Sequence, residues 1–182
     1  MKILLHICCA PCSVMSIKVM REQRHELTGY WYNPNIHPVT EYKARLHALR
    51  EYAKSVDLEL IENDEYGLEM FTKNVISDLS NRCDFCYEVR IRKVAIEARE
   101  KGFDAFSTTL LISPYQLHDK LVQTCERISK EEKIAFHYVD LRPYFREGQK
   151  IAREFPLYMQ KYCGCIFSEE ERYLKKVRIE RT

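Results

Sequence analysis

The residues with the clearest chemical potential in this sequence are its cysteines, because thiolates bind transition metals and carry out redox chemistry. Seven of the eight cysteines fall into three short groups. The first group is Cys8, Cys9 and Cys12, the second is Cys83 and Cys86, and the third is Cys163 and Cys165. Cys125 stands alone within a helical pattern, which predicts a core residue. Such grouping predicts a metal or redox site rather than a framework of disulfides.

The first two groups can supply four thiolates to one site. Cys8 and Cys9 precede a predicted helix, whose N-terminus favours the thiolate form. Cys83 and Cys86 are three residues apart at the start of another predicted helix, so both sulfurs face the same point. Structural zinc usually sits between two similar knuckles in a closed shell. A strand-end loop with spare thiols nearby favours an iron–sulfur cluster modestly and leaves zinc open.

The third cysteine group has three interpretations, and the sequence does not distinguish between them. Cys163 and Cys165 are a redox-active dithiol, ligands of a second metal, or free packed thiols.

Polar residues near the cysteine groups are candidate proton donors and substrate contacts. His6 precedes the first group and Asp84 lies within the second. Further candidate acids are His37, His118 and Asp119. A polar run after a predicted strand is typical of a substrate-lining loop, although helix capping explains it equally; its members are Thr108, Thr109, Ser113, Tyr115 and Gln116.

Aromatic and basic residues lie close to the same segments. Tyr30, Trp31 and Tyr32 lead into Asn33, and Arg90, Arg92 and Lys93 follow the second cysteine group. Aromatic rings with nearby cations suit an unstacked RNA base and its phosphates. Trp31 is equally consistent with a core position.

Alternating strand and helix patterns must position these residues. Predicted strands cover residues 2–6, 27–32, 58–61, 103–108 and 135–140. Predicted helices cover 14–24, with Ser13 as N-cap, 40–56, 67–75, 83–101 and 113–133, the last opened by Ser113 and Pro114. The C-terminal part, about 141–182, is predicted to be helical with a break at 162–166.

Strands joined by helical crossovers predict an α/β fold with a mostly parallel sheet and helices on both faces. Such sheets bind ligands beyond the carboxyl ends of their strands. The segments after the first, second and fourth strands, at 8–12, 32–37 and 108–115, are expected at that edge. We expect residues 1–182 to form a single α/β domain with a helical C-terminal extension.

Charge and hydropathy exclude some classes of protein but do not identify the function. The formal charge of +2 is too small to mark a nucleic-acid binder by itself. The N-terminus lacks the apolar segment of a signal peptide, and no apolar run is long enough to cross a bilayer. We therefore expect a cytoplasmic protein without a membrane partner.

Four ordered motifs resemble one known family over nearly the whole chain. They are HICCAPCS at 6–13, RCDFCY at 82–87, STTLLISPYQ at 107–116, and a tail with GQ at 148–149, REFPLYMQKYCGC at 153–165 and FS at 167–168. Together these motifs resemble the QueH-type epoxyqueuosine reductases.

The resemblance implies the last step of queuosine synthesis on tRNA. In that step the epoxide of epoxyqueuosine at the anticodon wobble position is reduced by two electrons and two protons, without cobalamin, and water is released. It also implies a fold similar to the nucleotide α-hydrolase and PP-loop group. The Gly-rich phosphate cradle of a PP-loop is replaced here by 8–12, which argues against ATP use.

The resemblance further implies cofactors and residue roles. A 4Fe-4S cluster would be bound by Cys8, Cys9, Cys83 and Cys86. An additional mononuclear iron would take Cys12 or Asp84, or the third cysteine group, as ligands. Asp84, His6 and Cys12 are the catalytic candidates. Substrate would contact Tyr32, Asn33, Thr108, Thr109, Ser113, Tyr115 and Gln116.

The reductase function requires an electron donor, and two alternative functions remain open. A cluster passes electrons singly, so an external low-potential donor, ferredoxin-like or flavodoxin-like, is expected. A zinc-stabilised tRNA-binding module is one alternative. A thiol–disulfide oxidoreductase using Cys163 and Cys165 is the other.

Overall fold

The sheet has five strands, all parallel, in the order β3-β2-β1-β4-β5. The computed structural model describes residues 1–180, with side chains described as far as residue 174. The strands are β1 Lys2–His6, β2 Glu26–Trp31, β3 Glu59–Glu62, β4 Ala105–Thr108 and β5 Ala135–Phe136. The register pairs His6 with Tyr30 on one side and with Thr108 on the other. The expected parallel α/β fold is confirmed.

The described part of the chain contains seven α-helices, with short 3-10 turns between them. They are α1 Ala10–Glu22, α2 Val39–Ser55, α3 Leu68–Val75, α4 Arg82–Glu100, α5 His118–Glu132, α6 Phe145–Glu154 and α7 Ile166–Glu180.

The helices divide between the two faces as right-handed crossovers require. The chain moves from β1 to β2 to β3 in one direction, so α1 and α2 share a face, where α6 packs against α1. It then returns over the sheet to β4 and β5, which places α4 and α5 together on the other face. The strand order reverses between β1 and β4, where such sheets bind ligands.

The first helix begins earlier than predicted. α1 starts at Ala10 with Cys9 as N-cap, and Ser13 lies inside it, donating its hydroxyl to the Ala10 carbonyl at 2.7 Å. Proline is tolerated in a first helical turn because no intrahelical acceptor is available there for its missing N–H. The helix therefore begins before Pro11, and Cys12 lies in its first turn.

The predicted helix start at Ser113 is wrong. Residues 109–112 form a 3-10 turn, residues 113–117 are non-helical, and α5 begins at His118. The Ser113 hydroxyl accepts from the Tyr115 N–H at 3.3 Å, so it caps a turn. The Leu117 N–H donates to the Tyr87 hydroxyl of α4 at 3.0 Å, a tertiary contact that local propensity does not predict.

Two further boundaries differ from the prediction. β5 ends at Phe136 rather than residue 140, since only Ala135 and Phe136 pair with β4. The C-terminal break runs from residue 155 to residue 165, longer than expected, between α6 and α7.

The core lies on both faces of the central strands. Ile3, Leu4, Leu5 and Phe106 are fully buried, as is Trp31, whose indole donates to the Tyr42 hydroxyl at 3.0 Å. Cys125 is fully buried in α5, as its helical pattern predicted.

Candidate metal and substrate site

The first cysteine group lies at the reversal point of the sheet, between the carboxyl ends of β1 and β4. The Cys8 N–H donates to the Thr109 hydroxyl oxygen at 3.1 Å, and that hydroxyl lies 3.4 Å from the Cys8 Sγ. These contacts tie the loop after β1 to the residue that follows β4. The expected meeting of the two segments at this edge is confirmed.

Cys8, Cys9 and Cys12 form a compact triad. Their three Sγ atoms lie within 4.8 Å of one another, and all three residues are buried. Hydrogen bonds from the Cys12 and Cys9 thiols lower the pKa of Cys8 well below its ordinary value. The same bonding raises the pKa of Cys12, and burial raises that of Cys9. The triad is a candidate metal site, and Cys8 is the thiol in it whose pKa is lowered.

The remaining grouped cysteines form a second cluster, Cys83, Cys86, Cys163 and Cys165, hereafter the quartet. Cys86 and Cys165 are buried together against Phe71 and Val75 of α3. Burial raises the pKa of Cys83 and raises that of Cys86 to about 12, and charge on Cys163 or Cys165 would raise both further. The quartet therefore brings together the second and third cysteine groups, whose charges affect one another.

A tight turn presents the last two cysteines of the quartet. Gly164 has φ +145, a conformation that residues with a side chain rarely adopt. The carbonyls of Tyr162 and Cys163 accept from the buried Arg45 guanidinium, each at 3.0 Å. Glu41 accepts from the Arg45 Nε at 2.7 Å, so this buried cation has a carboxylate partner.

Arg90 is a second buried cation beside the thiols. It is 2% exposed and donates to the Cys86 carbonyl at 2.9 Å and to the Cys86 Sγ at 3.1 Å. Among the side chains that the structure describes, no carboxylate lies within 4 Å of its guanidinium. Because an unpaired buried charge is costly, negative charge on the neighbouring sulfurs would stabilise Arg90.

Triad and quartet open into one cavity of about 850 Å³. Cys8 and Cys12 line it on the triad side and Cys163 on the quartet side. Gln160 donates to the Cys9 Sγ at 2.9 Å, and Gln116 donates to the Cys163 Sγ at 3.4 Å. A cavity of this volume accommodates a ligand the size of a nucleoside.

The residues expected to contact substrate divide into two sets. Ser113, Tyr115 and Gln116 line the cavity. Tyr32, Asn33, Thr108 and Thr109 are buried and are not part of its lining. Asn33 donates to the Ile7 carbonyl at 2.9 Å, and Thr108 bonds to the His6 ring at 2.9 Å. The second set therefore supports the sheet edge.

His6 is a structural residue in this arrangement. Its Nε2 faces two oxygens, the Tyr32 carbonyl and the Asn33 amide oxygen, each at 3.2 Å, so Nε2 carries the hydrogen and Nδ1 accepts from Thr108. Burial and the nearby Arg90 charge lower the pKa of His6 to about 4. The imidazole is neutral at physiological pH, and it does not line the cavity.

Asp84 and the expected phosphate-binding cations also lie away from the cavity. Asp84 is half exposed and is paired with Lys120 of α5 at 3.0 Å. Arg92 pairs with glutamates of α4 and α5. Arg90 is buried against Cys86, so the prediction that these arginines are free for phosphate is wrong. Of the three catalytic candidates, Cys12 alone lines the cavity.

Sequence reasoning missed several residues of the site. Arg45 and Gln160 contact the cysteine segments, and Arg146, Gln149 and Arg153 line the cavity from α6. The spacing of the last three, at i, i+3 and i+7, places them on one helix face and was available in the sequence. Arg45 carried no comparable signal, because a helical pattern does not show which segment a polar residue faces.

A parallel α/β fold with seven thiols beside its reversal point defines a candidate cysteine-ligated metalloprotein. The model of the family described as "Epoxyqueuosine reductase QueH" matches residues 3–171. The chain belongs to this family.

Relatives with the same description extend over most of the chain. A protein from Dehalococcoides mccartyi is 40% identical over 96% of both chains. One from Thermotoga maritima is 32% identical over 98% of this chain and 96% of its own. Both are described as epoxyqueuosine reductase QueH.

One solved structure is similar in fold. A crystal structure from Methanocaldococcus jannaschii, described as a predicted subunit of tRNA methyltransferase, superposes with a TM-score of 0.57 at 14% identity, covering 97% of this chain and 88% of that chain. This likeness concerns the fold alone. Within the described residues, the helices are too short or too polar to span a membrane.

Proposed function

We propose that this chain is an epoxyqueuosine reductase that converts the epoxide of epoxyqueuosine in a tRNA anticodon to the alkene of queuosine. The reaction consumes two electrons and two protons and releases the epoxide oxygen as water. The observation that carries the proposal is that three thiols of a chain of this family, Cys8, Cys12 and Cys163, line one nucleoside-sized cavity. The other four grouped cysteines are free and belong to the same two clusters.

The donor set fits an iron–sulfur cofactor. The quartet supplies the four thiolates of a 4Fe-4S cluster, and the buried Arg90 beside Cys86 suits an anionic group. We assign the cluster to the quartet, which keeps the expected ligands Cys83 and Cys86 and replaces the expected ligands Cys8 and Cys9 with Cys163 and Cys165. The triad of Cys8, Cys9 and Cys12 then remains for the additional iron. When bound, the cofactor would supply electrons one at a time and polarise the epoxide oxygen.

The protein's own residues hold the thiols and the substrate in place. Gln160, Gln116 and Thr109 each donate a hydrogen bond to a sulfur of the site. Donors to thiolate sulfur fix its orientation and tune its reactivity. Ser113 and Tyr115 also line the cavity, where the modified base would lie.

A protonated group on the cavity wall is needed for release of the epoxide oxygen. Cys12 can hold this proton where Cys8 and Cys9 bind the additional iron without it, because its side chain lines the cavity and the bonding within the triad raises its pKa. The electrons come from an external low-potential donor, ferredoxin-like or flavodoxin-like. Free thiols are maintained in a reducing compartment, so we place the reaction in the cytoplasm.

The test is an anaerobic preparation in which iron, zinc and labile sulfide are quantified before tRNA carrying epoxyqueuosine is assayed with dithionite. We expect a brown protein with about four sulfides and more than four irons per chain, and conversion of the modified base. Cys86→Ser should lose iron and activity together, whereas Cys125→Ala, outside both clusters, should keep both. A colourless zinc protein would point to a binding module, and activity that survives removal of iron to a thiol–disulfide oxidoreductase.

A further inference from the structure

The residues that line the cavity carry an excess of positive charge. Five of its lining residues are cations and none is a carboxylate. Arg45 is the buried one; the other four are Arg146, Arg153, Lys161 and Arg172, and all four are exposed. The chain as a whole has a formal charge of only +2, so the positive charge is concentrated at the cavity.

The four exposed cations are not used to hold the described structure together. None of them lies within 4 Å of a carboxylate that the structure describes. Elsewhere on the surface, arginines such as Arg50, Arg92 and Arg127 do form ion pairs. The cations at the mouth are therefore available to an external anion.

The four exposed cations lie on the C-terminal part of the chain, beside an exposed aromatic ring. Arg146 and Arg153 share one face of α6, Lys161 precedes the quartet turn, and Arg172 lies on α7. Tyr115 also lines the cavity; its side chain is 83% exposed, and its ring packs edge-on at 5.8 Å against Phe145, which precedes Arg146 at the start of α6. An exposed ring held by a second ring is a ready stacking surface.

We propose that these four cations bind the phosphates flanking the reacting nucleotide and that Tyr115 stacks on a neighbouring unpaired base. The inference rests on the proposed function and assigns an RNA-binding surface to its cavity. A row of cations beside an exposed aromatic ring matches a single strand, whose backbone and bases need those two contacts. A single phosphate ion would need neither several cations at separate positions nor an aromatic ring.

The test measures binding without reduction. The protein is the anaerobically purified chain with its native metal content, and the probe is an anticodon stem-loop RNA with an unmodified wobble base. The double variant Arg146→Gln, Arg153→Gln should bind about tenfold more weakly at physiological salt. It should also flatten the slope of log Kd against log salt by about 1.4, since two phosphate contacts to a single strand are lost.

A matched control carries the same change in net charge. Lys54→Gln, Lys130→Gln removes two exposed lysines from α2 and α5, away from the cavity. This control should bind within twofold of the unmodified chain. Equal weakening in both double variants would overturn the proposal, because general charge rather than the mouth would then attract the RNA. Unchanged binding in the arginine variant would overturn it as well.

Tyr115 has a separate signature. Tyr115→Ala should weaken binding while the salt slope stays the same, and Tyr115→Phe should restore the affinity, because stacking does not release counterions. Loss of salt slope in Tyr115→Ala, or full affinity in that variant, would contradict the stacking assignment. RNA binding in a protein that does not reduce epoxyqueuosine would leave this surface standing and refute the proposed function alone.

Discussion

Arg90 shows how a single side chain can bias the chemistry of a whole site. It lies on α4 one turn beyond Cys86, fully within the protein, and its two contacts to that residue take the place of a salt bridge. A guanidinium in a medium of low polarity stabilises any additional negative charge placed beside it. The reduced form of a cysteine-bound cofactor is more negative than the oxidised form, so Arg90 favours reduction.

Arg90→Gln should therefore make the cofactor harder to reduce. We expect the ratio of reduced to oxidised cofactor at a fixed potential to fall about tenfold, equivalent to about 59 mV for a one-electron couple. The measurement is a redox titration of the anaerobic protein, followed by visible absorbance and EPR. Arg92→Gln removes the same charge from the same helix at a surface ion pair and should leave the potential unchanged. An unaltered potential in Arg90→Gln would show that this cation is compensated elsewhere.

At the scale of elements, His37 holds the segment before α7 to the loop after β2. Its Nδ1 accepts from the Ile166 N–H at 3.3 Å, so Nε2 carries the hydrogen and donates to the Pro34 carbonyl at 3.0 Å. The Tyr162 hydroxyl donates to the His37 carbonyl at 2.5 Å, and the His37 N–H donates to the Gly164 carbonyl at 2.8 Å. Protonation of Nδ1 would replace an acceptor with a donor facing an N–H group.

Burial lowers the pKa of His37 to about 4, below the ordinary histidine value of 6.5. Between those values the unfolded chain binds the proton more readily, so the free energy of unfolding rises with pH and falls as the pH drops. The loss should reach up to about 3 kcal/mol when the pH falls through the folded pKa. Urea unfolding of the metal-free protein at about pH 7 and about pH 4.5 measures it.

His37→Gln isolates this histidine from the carboxylates that titrate in the same range. The variant should be less stable than the unmodified chain at neutral pH, and the difference between the two should shrink toward acidic pH. A constant difference at both pH values would mean that the pKa of His37 is the same in the folded and the unfolded chain.

The elements were predictable wherever their signals were local. β1, α2 and α4 lie within two residues of their predicted bounds, because hydrophobic periodicity and Gly102 mark them clearly. The start of α5 was not predictable, because the contact of Leu117 with Tyr87 of α4 decides it. The short β5 depends in the same way on pairing with β4.

The sequence predicted the chemistry of the site, but not which cysteines and cations lie together in it. Spacing identified seven cysteines and the edge at which the segments after β1 and β4 meet. It did not show that Cys163 and Cys165 join Cys83 and Cys86, because the path of residues 155–165 contains no periodic pattern. The sequence also predicted that Arg90 binds phosphate, whereas in the structure Arg90 is buried and contacts Cys86.

At the scale of the whole molecule, the cysteines come from three distant parts of the chain. The triad follows β1, Cys83 and Cys86 open α4, and Cys163 and Cys165 lie between α6 and α7. A cofactor bound by the quartet would link α4 to the C-terminal part across the non-helical residues 155–165. Binding to the folded state alone stabilises that state.

Loss of iron should therefore destabilise the C-terminal part first. We expect the Tm of the anaerobic, iron-loaded protein to exceed that of the chelated protein by at least about 5 °C, which corresponds to about 2 kcal/mol for a chain of this length. Limited proteolysis within residues 155–165 should be slower in the loaded protein. Cys163→Ser, Cys165→Ser should abolish that protection, whereas Cys125→Ala should preserve it, since Cys125 lies in the core of α5. If loaded and chelated proteins were cut at the same rate, the quartet would not link these elements, and the cluster would have to be bound elsewhere among the seven thiols.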